Sequence, residues 1–175
     1  KIAIIIGHGA EAVRQAYPNG DVTWVVQEQQ LGTGHAVLSA KNSFGEFAGD
    51  ILILSGDVPL ISEAILNAVI DWHRKQKASL TLLTASLKGP SGYGRVLRHA
   101  DGAIAGIVEE RDATDAQRQI EEVNVGTYVA SAPFLFSAIM VCSAGAGVLY
   151  SLSGHNGTTA PATQPGTTQA TALVG

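Results

Sequence analysis

No aspartate, glutamate, lysine or arginine occurs in the last 53 residues, from Val123 to Gly175, although the chain has 15 acidic and 11 basic residues before that point. A conventional charged surface is hard to build from such a stretch, so ordinary globular structure is expected to fade toward the C-terminus. A single cysteine, Cys142, excludes an internal disulfide framework and any multi-cysteine zinc site. Charged residues make up only 15% of the 175-residue chain while 46% are hydrophobic, which excludes charge-driven disorder over its bulk. A net charge of −4 leaves no basic footprint, so nucleic acid is not an expected partner.

The longest weakly polar run, Val125 to Leu152, is interrupted by Pro133 and by several Ser and Gly residues, and no Lys/Arg flank follows it. A membrane span is therefore not expected. Lys1 leads into Ile2 to Ile6 and then Gly7, without the apolar segment and cleavage site of a secretory leader. A cytoplasmic location is the default expectation. The last 25 residues, rich in Thr, Ala, Gly and Pro, read as a disordered tail.

Strand-like and helix-like segments alternate through the first half. Ile2–Ile6, Val22–Val26 and Ile51–Leu54 are short apolar runs, and Ala10–Ala16 and Gly34–Ala40 are helix-sized segments between them. The alternation predicts an α/β fold with a mostly parallel sheet, whose ligands gather at the carboxyl ends of the strands. From Ser62 to Lys75 the spacing of Ile65, Leu66, Val69, Ile70 and Trp72 is helical, with Ser62 placed to cap the first turn. Leu80–Leu87 and a hairpin turning at Asp101-Gly102 add antiparallel strands.

Chemistry is expected where the chain leaves these strands. In Gln27-Glu28-Gln29-Gln30-Leu31-Gly32-Thr33-Gly34-His35-Ala36 the glycines permit close approach to a ligand while Thr33 and the glutamines offer hydrogen bonds. Neither a P-loop nor a dinucleotide fingerprint is present. His35 reads as a structural or capping residue. In Ser55-Gly56-Asp57-Val58-Pro59-Leu60, Asp57 follows a buried strand. It is placed either to hold a hard cation such as Mg²⁺ together with substrate phosphates, or only to cap the helix that begins near Ser62.

These two segments, with Gly-Tyr-Gly-Arg-Val at 92–96, Ile-Val-Glu-Glu-Arg-Asp-Ala at 107–113 and Glu-Val-Asn-Val-Gly at 122–126, resemble in order and spacing the N-acetylglucosamine-1-phosphate uridylyltransferase domain of the sugar-phosphate nucleotidyltransferase family. The resemblance covers residues 1–137, read as a partial domain, with 138–175 as an uncharged, low-complexity or out-of-frame tail. It implies a Rossmann-like mixed sheet of the nucleotide-diphospho-sugar transferase type, incomplete in this chain. It also implies transfer of uridylyl from UTP to N-acetylglucosamine 1-phosphate with Mg²⁺ as cofactor. By the same resemblance Gln27 contacts uracil, Gly32 and Thr33 line the nucleotide, Ser55 and Gly56 lie by the ribose, and Asp57 binds Mg²⁺. Gly94 approaches the sugar, Glu109 accepts from its hydroxyls, and Asn124 reaches the N-acetylglucosamine moiety.

Departures from the family set further expectations. Its glycine-rich loop, Leu-Ala-Ala-Gly-x-Gly-Thr-Arg-Met, and the lysine that follows do not occur in these residues, and Val125 stands where a threonine is usual. No counterpart of the family's second metal ligand, a distant asparagine, is found. Any oligomer is expected to depend on a C-terminal domain absent here. Little turnover and poor solubility are expected, and a binding-only remnant or transfer to another sugar phosphate remain alternatives. A shifted reading frame near 137–146 is hypothesised for the tail; coding DNA without family-like residues in the alternative frame would dispose of it.

Overall fold

A computed structural model describes residues 1–18, 20–29, 31–58, 60–143 and 171–174. The described residues fall into two compact units, Lys1–Ala48 with 135–143, and Gly49–Phe134 with 171–174.

In the first unit, strand β1 (Ala3–Ile6) pairs in parallel with β2 (Thr23–Val26), Ala3 opposite Thr23 and Ile6 opposite Val26. Helix α1 (Ala10–Ala16) connects them. Gly9, at φ 72°, turns the chain out of β1 in a conformation costly for any residue with a Cβ, and Pro18 lies just beyond the helix end. After β2 the chain crosses the glutamine-rich loop and enters α2 (Thr33–Ser39), then the single turn α3 (Lys41–Phe44). Phe44 packs at 6.2 Å, ring centre to ring centre, on Phe136 from helix α6 (Ala132–Ser143).

The second unit is built around β7 (Glu122–Ser131), the longest strand. Along one edge it pairs with β4 (Leu80–Ser86). Along the other it pairs at its C-terminal end with β3 (Asp50–Ile53) and at its N-terminal end with β5 (Arg95–Arg98). Strand β6 (Ile104–Val108) pairs with β5 through a hairpin whose Gly102 sits at φ 87°. The Asp101 carboxylate accepts from the Ala103 N–H, so Asp101-Gly102 makes the tight turn foreseen for it.

Helix α4 (Glu63–Gln76) lies on one face, its Val69 packed with Leu83 and Val129 and flanked by Leu52, Ile61, Ile70 and Val125. The opposite face buries Leu82, Val96 and Ile104 against Tyr128. Ser62 caps α4 by accepting from the Ile65 N–H at 3.4 Å, and Thr114 with Gln117 forms a reciprocal capping box on the short helix α5 (Asp115–Arg118).

The mixed α/β architecture accords with the sequence, but its balance differs. β1–β2 is the parallel pairing among the described strands, and the other five pairings are antiparallel. The physical reason is β7. In the sequence, residues 122–126 read as a ligand motif and 125–152 as an apolar run, which conceals a strand that runs opposite to β3, β4 and β5 and so makes each of those contacts antiparallel.

The tail also differs at one place. Thr171–Val174 form strand β8 on the outer edge of β4, where Thr, Leu and Val favour extended backbone and an unpaired strand edge supplies partners. The rest of the tail expected to be disordered, and residues 144–170 of the proposed frame-shifted stretch, lie outside the described residues. Regular structure does cross residue 137, since α6 continues to Ser143. At 12 residues α6 is short, and no described helix is long and apolar enough to cross a membrane.

Candidate functional site

In the first unit, β2 delivers Gln27 directly from its carboxyl end, and the Gln27 N–H closes the strand pair on the Ile6 carbonyl at 2.8 Å. The Gln27 side-chain amide turns back over its own loop, donating to the Gly32 carbonyl at 3.2 Å and lying 3.0 Å from Nδ1 of His35. Gly32, at φ 97°, lets the backbone reverse there before Thr33 opens α2. Gly32 and Thr33 are exposed and Gln27 is half-buried. A cleft of about 250 Å³ is lined by Val26, Glu28, Gln29, His35 and Ser39. His35, set aside as structural from the sequence, is therefore the partner of the residue expected to read the base.

In the second unit the structure brings Gly94, Glu109 and Asn124 together. The Gly94 carbonyl accepts from the Asn124 backbone N–H at 2.9 Å, which stitches the loop before β5 to the start of β7. A Cβ built on Gly94 would stand 3.5 Å from each Glu109 carboxylate oxygen and 3.0 Å from Ile107 Cγ2. Asn124 precedes an irregularity in β7, where the pairing jumps from Leu82–Tyr128 to Thr84–Asn124. The extra residues form a bulge centred on Gly126 at φ 74°. The Asn124 amide holds it, its oxygen accepting from the Gly126 N–H at 3.1 Å and its nitrogen donating to the Tyr128 hydroxyl at 2.6 Å.

Ser55 joins the same bulge. Its hydroxyl donates to the Gly126 carbonyl at 3.3 Å, and a Cβ on Gly126 would fall 2.4 Å from the Ser55 Oγ. Ser55 is thus linked through Gly126 to Asn124, Asn124 is bonded to Gly94, and Glu109 stands beside Gly94. Gly56 and Asp57 follow Ser55 in an exposed turn closed by the Val58 N–H on the Ser55 carbonyl at 3.4 Å.

The alternative role of Asp57, capping α4, is overturned because Ser62 fills it. No described residue engages the Asp57 carboxylate or that of Glu109, and both are exposed. Among the described residues no group of three or more His, Cys, Asp or Glu side chains is arranged to hold a metal. A lone free carboxylate suits Mg²⁺ that takes its remaining ligands from phosphate and water, and does not suit an all-protein cage.

Two side chains with no role foreseen from the sequence, Arg95 and Glu110, shape this region. Arg95 is 1% exposed, and its guanidinium donates to the carbonyls of Tyr93 and of Pro90 (2.6 Å), with a weaker contact to Arg118 at 3.4 Å. Glu110 accepts from the Gly92 N–H and lies 3.9 Å from Arg95. The neighbouring glutamates have therefore divided tasks, Glu110 fixing the Gly89–Gly94 loop and Glu109 standing free beside Gly94. An arginine opening the apolar strand Arg95-Val96-Leu97 was the available signal.

The chain belongs to the nucleotidyl transferase family, whose pattern matches residues 3–154. Among its relatives, the bifunctional protein GlmU of Geobacter sulfurreducens is 49% identical over 140 residues, covering 79% of this chain and 29% of that protein. That of Syntrophotalea carbinolica is 47% identical over 136 residues, covering 78% and 29%. The chain spans about 30% of the length of the curated relatives it matches. Of solved structures, HddC from Yersinia pseudotuberculosis superposes with a TM-score of 0.56 at 19% identity, covering 78% of this chain and 58% of that one. UDP-glucose pyrophosphorylase complexed with UDP-glucose gives 0.55 at 17% identity, with 79% and 60% covered. At such identities the likeness concerns the fold alone.

Proposed function

We propose that this chain carries recognition loops of a uridylyltransferase that converts UTP and N-acetylglucosamine 1-phosphate into UDP-N-acetylglucosamine and pyrophosphate. In that reaction an oxygen of the sugar phosphate attacks the α-phosphorus of UTP, and the bond from that phosphorus to the oxygen bridging to the β-phosphate breaks. Positioning and charge neutralisation matter more than a covalent nucleophile on the protein.

The observation that carries the reading is the free Glu109 carboxylate packed close to Gly94, whose carbonyl in turn accepts from the Asn124 N–H. A carboxylate accepts from vicinal hydroxyls, and an amide both donates and accepts, as an acetamido sugar requires. Gln27, with Gly32 and Thr33, serves the uracil and nucleotide; Ser55 and Gly56 serve the ribose. Asp57 would hold Mg²⁺, which when bound offsets phosphate charge. A cytoplasmic location goes with this reading, as the expected site of nucleotide triphosphate supply.

Titration calorimetry on the full chain tests the reading with UDP-N-acetylglucosamine and with UDP. The sugar nucleotide is expected to bind more tightly, and Glu109→Ala and Asn124→Ala to abolish that advantage while leaving UDP affinity within about twofold. Equal affinity for the two ligands in the unsubstituted chain contradicts the sugar assignment. Because the glycine-rich loop and its lysine do not occur in these residues, pyrophosphate release is expected to be slow or undetectable, and robust release would refute that expectation.

A further inference from the structure

The carbonyl of Gly32 offers only lone pairs, so the amide atom of Gln27 that faces it at 3.2 Å has to be nitrogen. Reversing the amide would set two acceptors against each other. With one of its two N–H groups committed to Gly32, the amide has a second for His35 Nδ1, 3.0 Å away. Nδ1 can accept only if it carries no proton, which places the ring proton of neutral His35 on Nε2. The backbone of His35 is itself secured, since its carbonyl accepts from the Ser39 hydroxyl at 2.9 Å. Gln27 then keeps only its side-chain oxygen for a ligand, and no described residue donates to that oxygen.

We propose that His35 is a specificity-determining positioning residue: by accepting the second Gln27 N–H it locks the amide so that an acceptor meets the base. Such an edge favours a pyrimidine with an N–H at N3, which uracil has and cytosine lacks. The inference rests on the reading of Gln27 as a base contact. His35 acts through Gln27 and touches no reacting atom. A histidine serving only to fill space would leave the amide free to rotate, and uridine and cytidine nucleotides would be distinguished less.

Two measurements on the full chain test it. Long-range proton–nitrogen spectra of the imidazole, taken without ligand, are expected to show His35 protonated on Nε2 and bare at Nδ1. A neutral ring protonated on Nδ1 overturns the inference and requires no substitution to observe. Titration calorimetry with UTP and CTP, each with Mg²⁺, follows on the unsubstituted chain and on His35→Ala and His35→Asn. UTP is expected to bind more tightly. His35→Ala is expected to cut the UTP/CTP ratio by about five- to tenfold, the worth of one net hydrogen bond. Asn, whose side-chain oxygen can accept in place of Nδ1, is expected to restore part of the ratio. A purely structural role would weaken both nucleotides alike, so a ratio unchanged in His35→Ala overturns the inference and leaves the uridine reading standing. Failure of the unsubstituted chain to bind either nucleotide overturns that reading, and the inference with it.

Discussion

The carboxylate of Glu109 stands beside the empty Cβ position of Gly94, both oxygens 3.5 Å from where that atom would be, while Ile107 Cγ2 lies 3.0 Å away on the same side. Glu109 and Ile107 approach the backbone this closely only because Gly94 carries no methyl group, and adding one would press on both. Gly94→Ala is therefore expected to lose sugar-nucleotide affinity by tenfold or more and to lower stability by about 1–2 kcal/mol through overpacking. Calorimetry with UDP-N-acetylglucosamine and urea unfolding check the two effects separately. Unaltered affinity would show that the position faces no ligand.

Arg95 is the buried cation on which the Gly89–Gly94 loop hangs. Arg95→Met keeps much of the volume but leaves the Pro90 and Tyr93 carbonyls without their donor. A loss of about 2–3 kcal/mol is expected in the urea midpoint analysis, mostly from those hydrogen bonds. The ion pair with Glu110 adds little, because Glu110 is 33% exposed and 3.9 Å away. A variant as stable as the parent would show that the loop needs no such anchor.

Gly126 meets Ser55 so closely that a methyl group cannot be added without movement, and its φ of 74° disfavours any side chain. Gly126→Ala is expected to cost about 2–3 kcal/mol, combining a clash with backbone strain. Adding Ser55→Gly should recover only the steric part. A double-mutant cycle in denaturant reads this directly, and strict additivity would mean that the two residues do not press on one another.

His73, 2% exposed, is held at 2.8 Å by the Thr81 hydroxyl and at 3.5 Å by Asp50. Burial pushes its pKa below the usual 6.5, with Arg74 adding to that effect, and outweighs the opposing pull of the Asp50 carboxylate. The unfolded chain then binds a proton at a higher pH than the folded one, so stability rises with pH between the lowered value and 6.5. The contribution is present above 6.5 and lost on acidification below it, by at most about 1.4 kcal/mol per pH unit. Urea midpoints at several pH values should show a slope that His73→Gln removes. A slope unaffected by the substitution would assign it to other groups.

What the sequence made legible was local. Apolar runs located β1, β2 and β3, helical spacing located α4 with its Ser62 cap, and Asp101-Gly102 marked a hairpin. In each case the signal lies within a few residues. The dominance of antiparallel pairing was hidden because β7 reads as motif and apolar run, and its partners are distant in sequence. The division of labour between Glu109 and Glu110 was hidden for a different reason. Adjacent identical side chains carry no distinguishing local signal, and they are separated only by distant partners, the Gly92 N–H and Arg95 for Glu110 and Gly94 for Glu109. The contact of His35 with Gln27 was hidden because it spans the loop between β2 and α2.

The most direct measurement is a nitrogen-15 correlation spectrum of the full chain titrated with UDP-N-acetylglucosamine. Shifts concentrated at Gly94, Glu109, Asn124 and Gly126, and at Gln27 and Gly32, are the expected result. Saturating shifts confined to other residues, or none at millimolar ligand, would contradict the assignment of these loops to a sugar nucleotide.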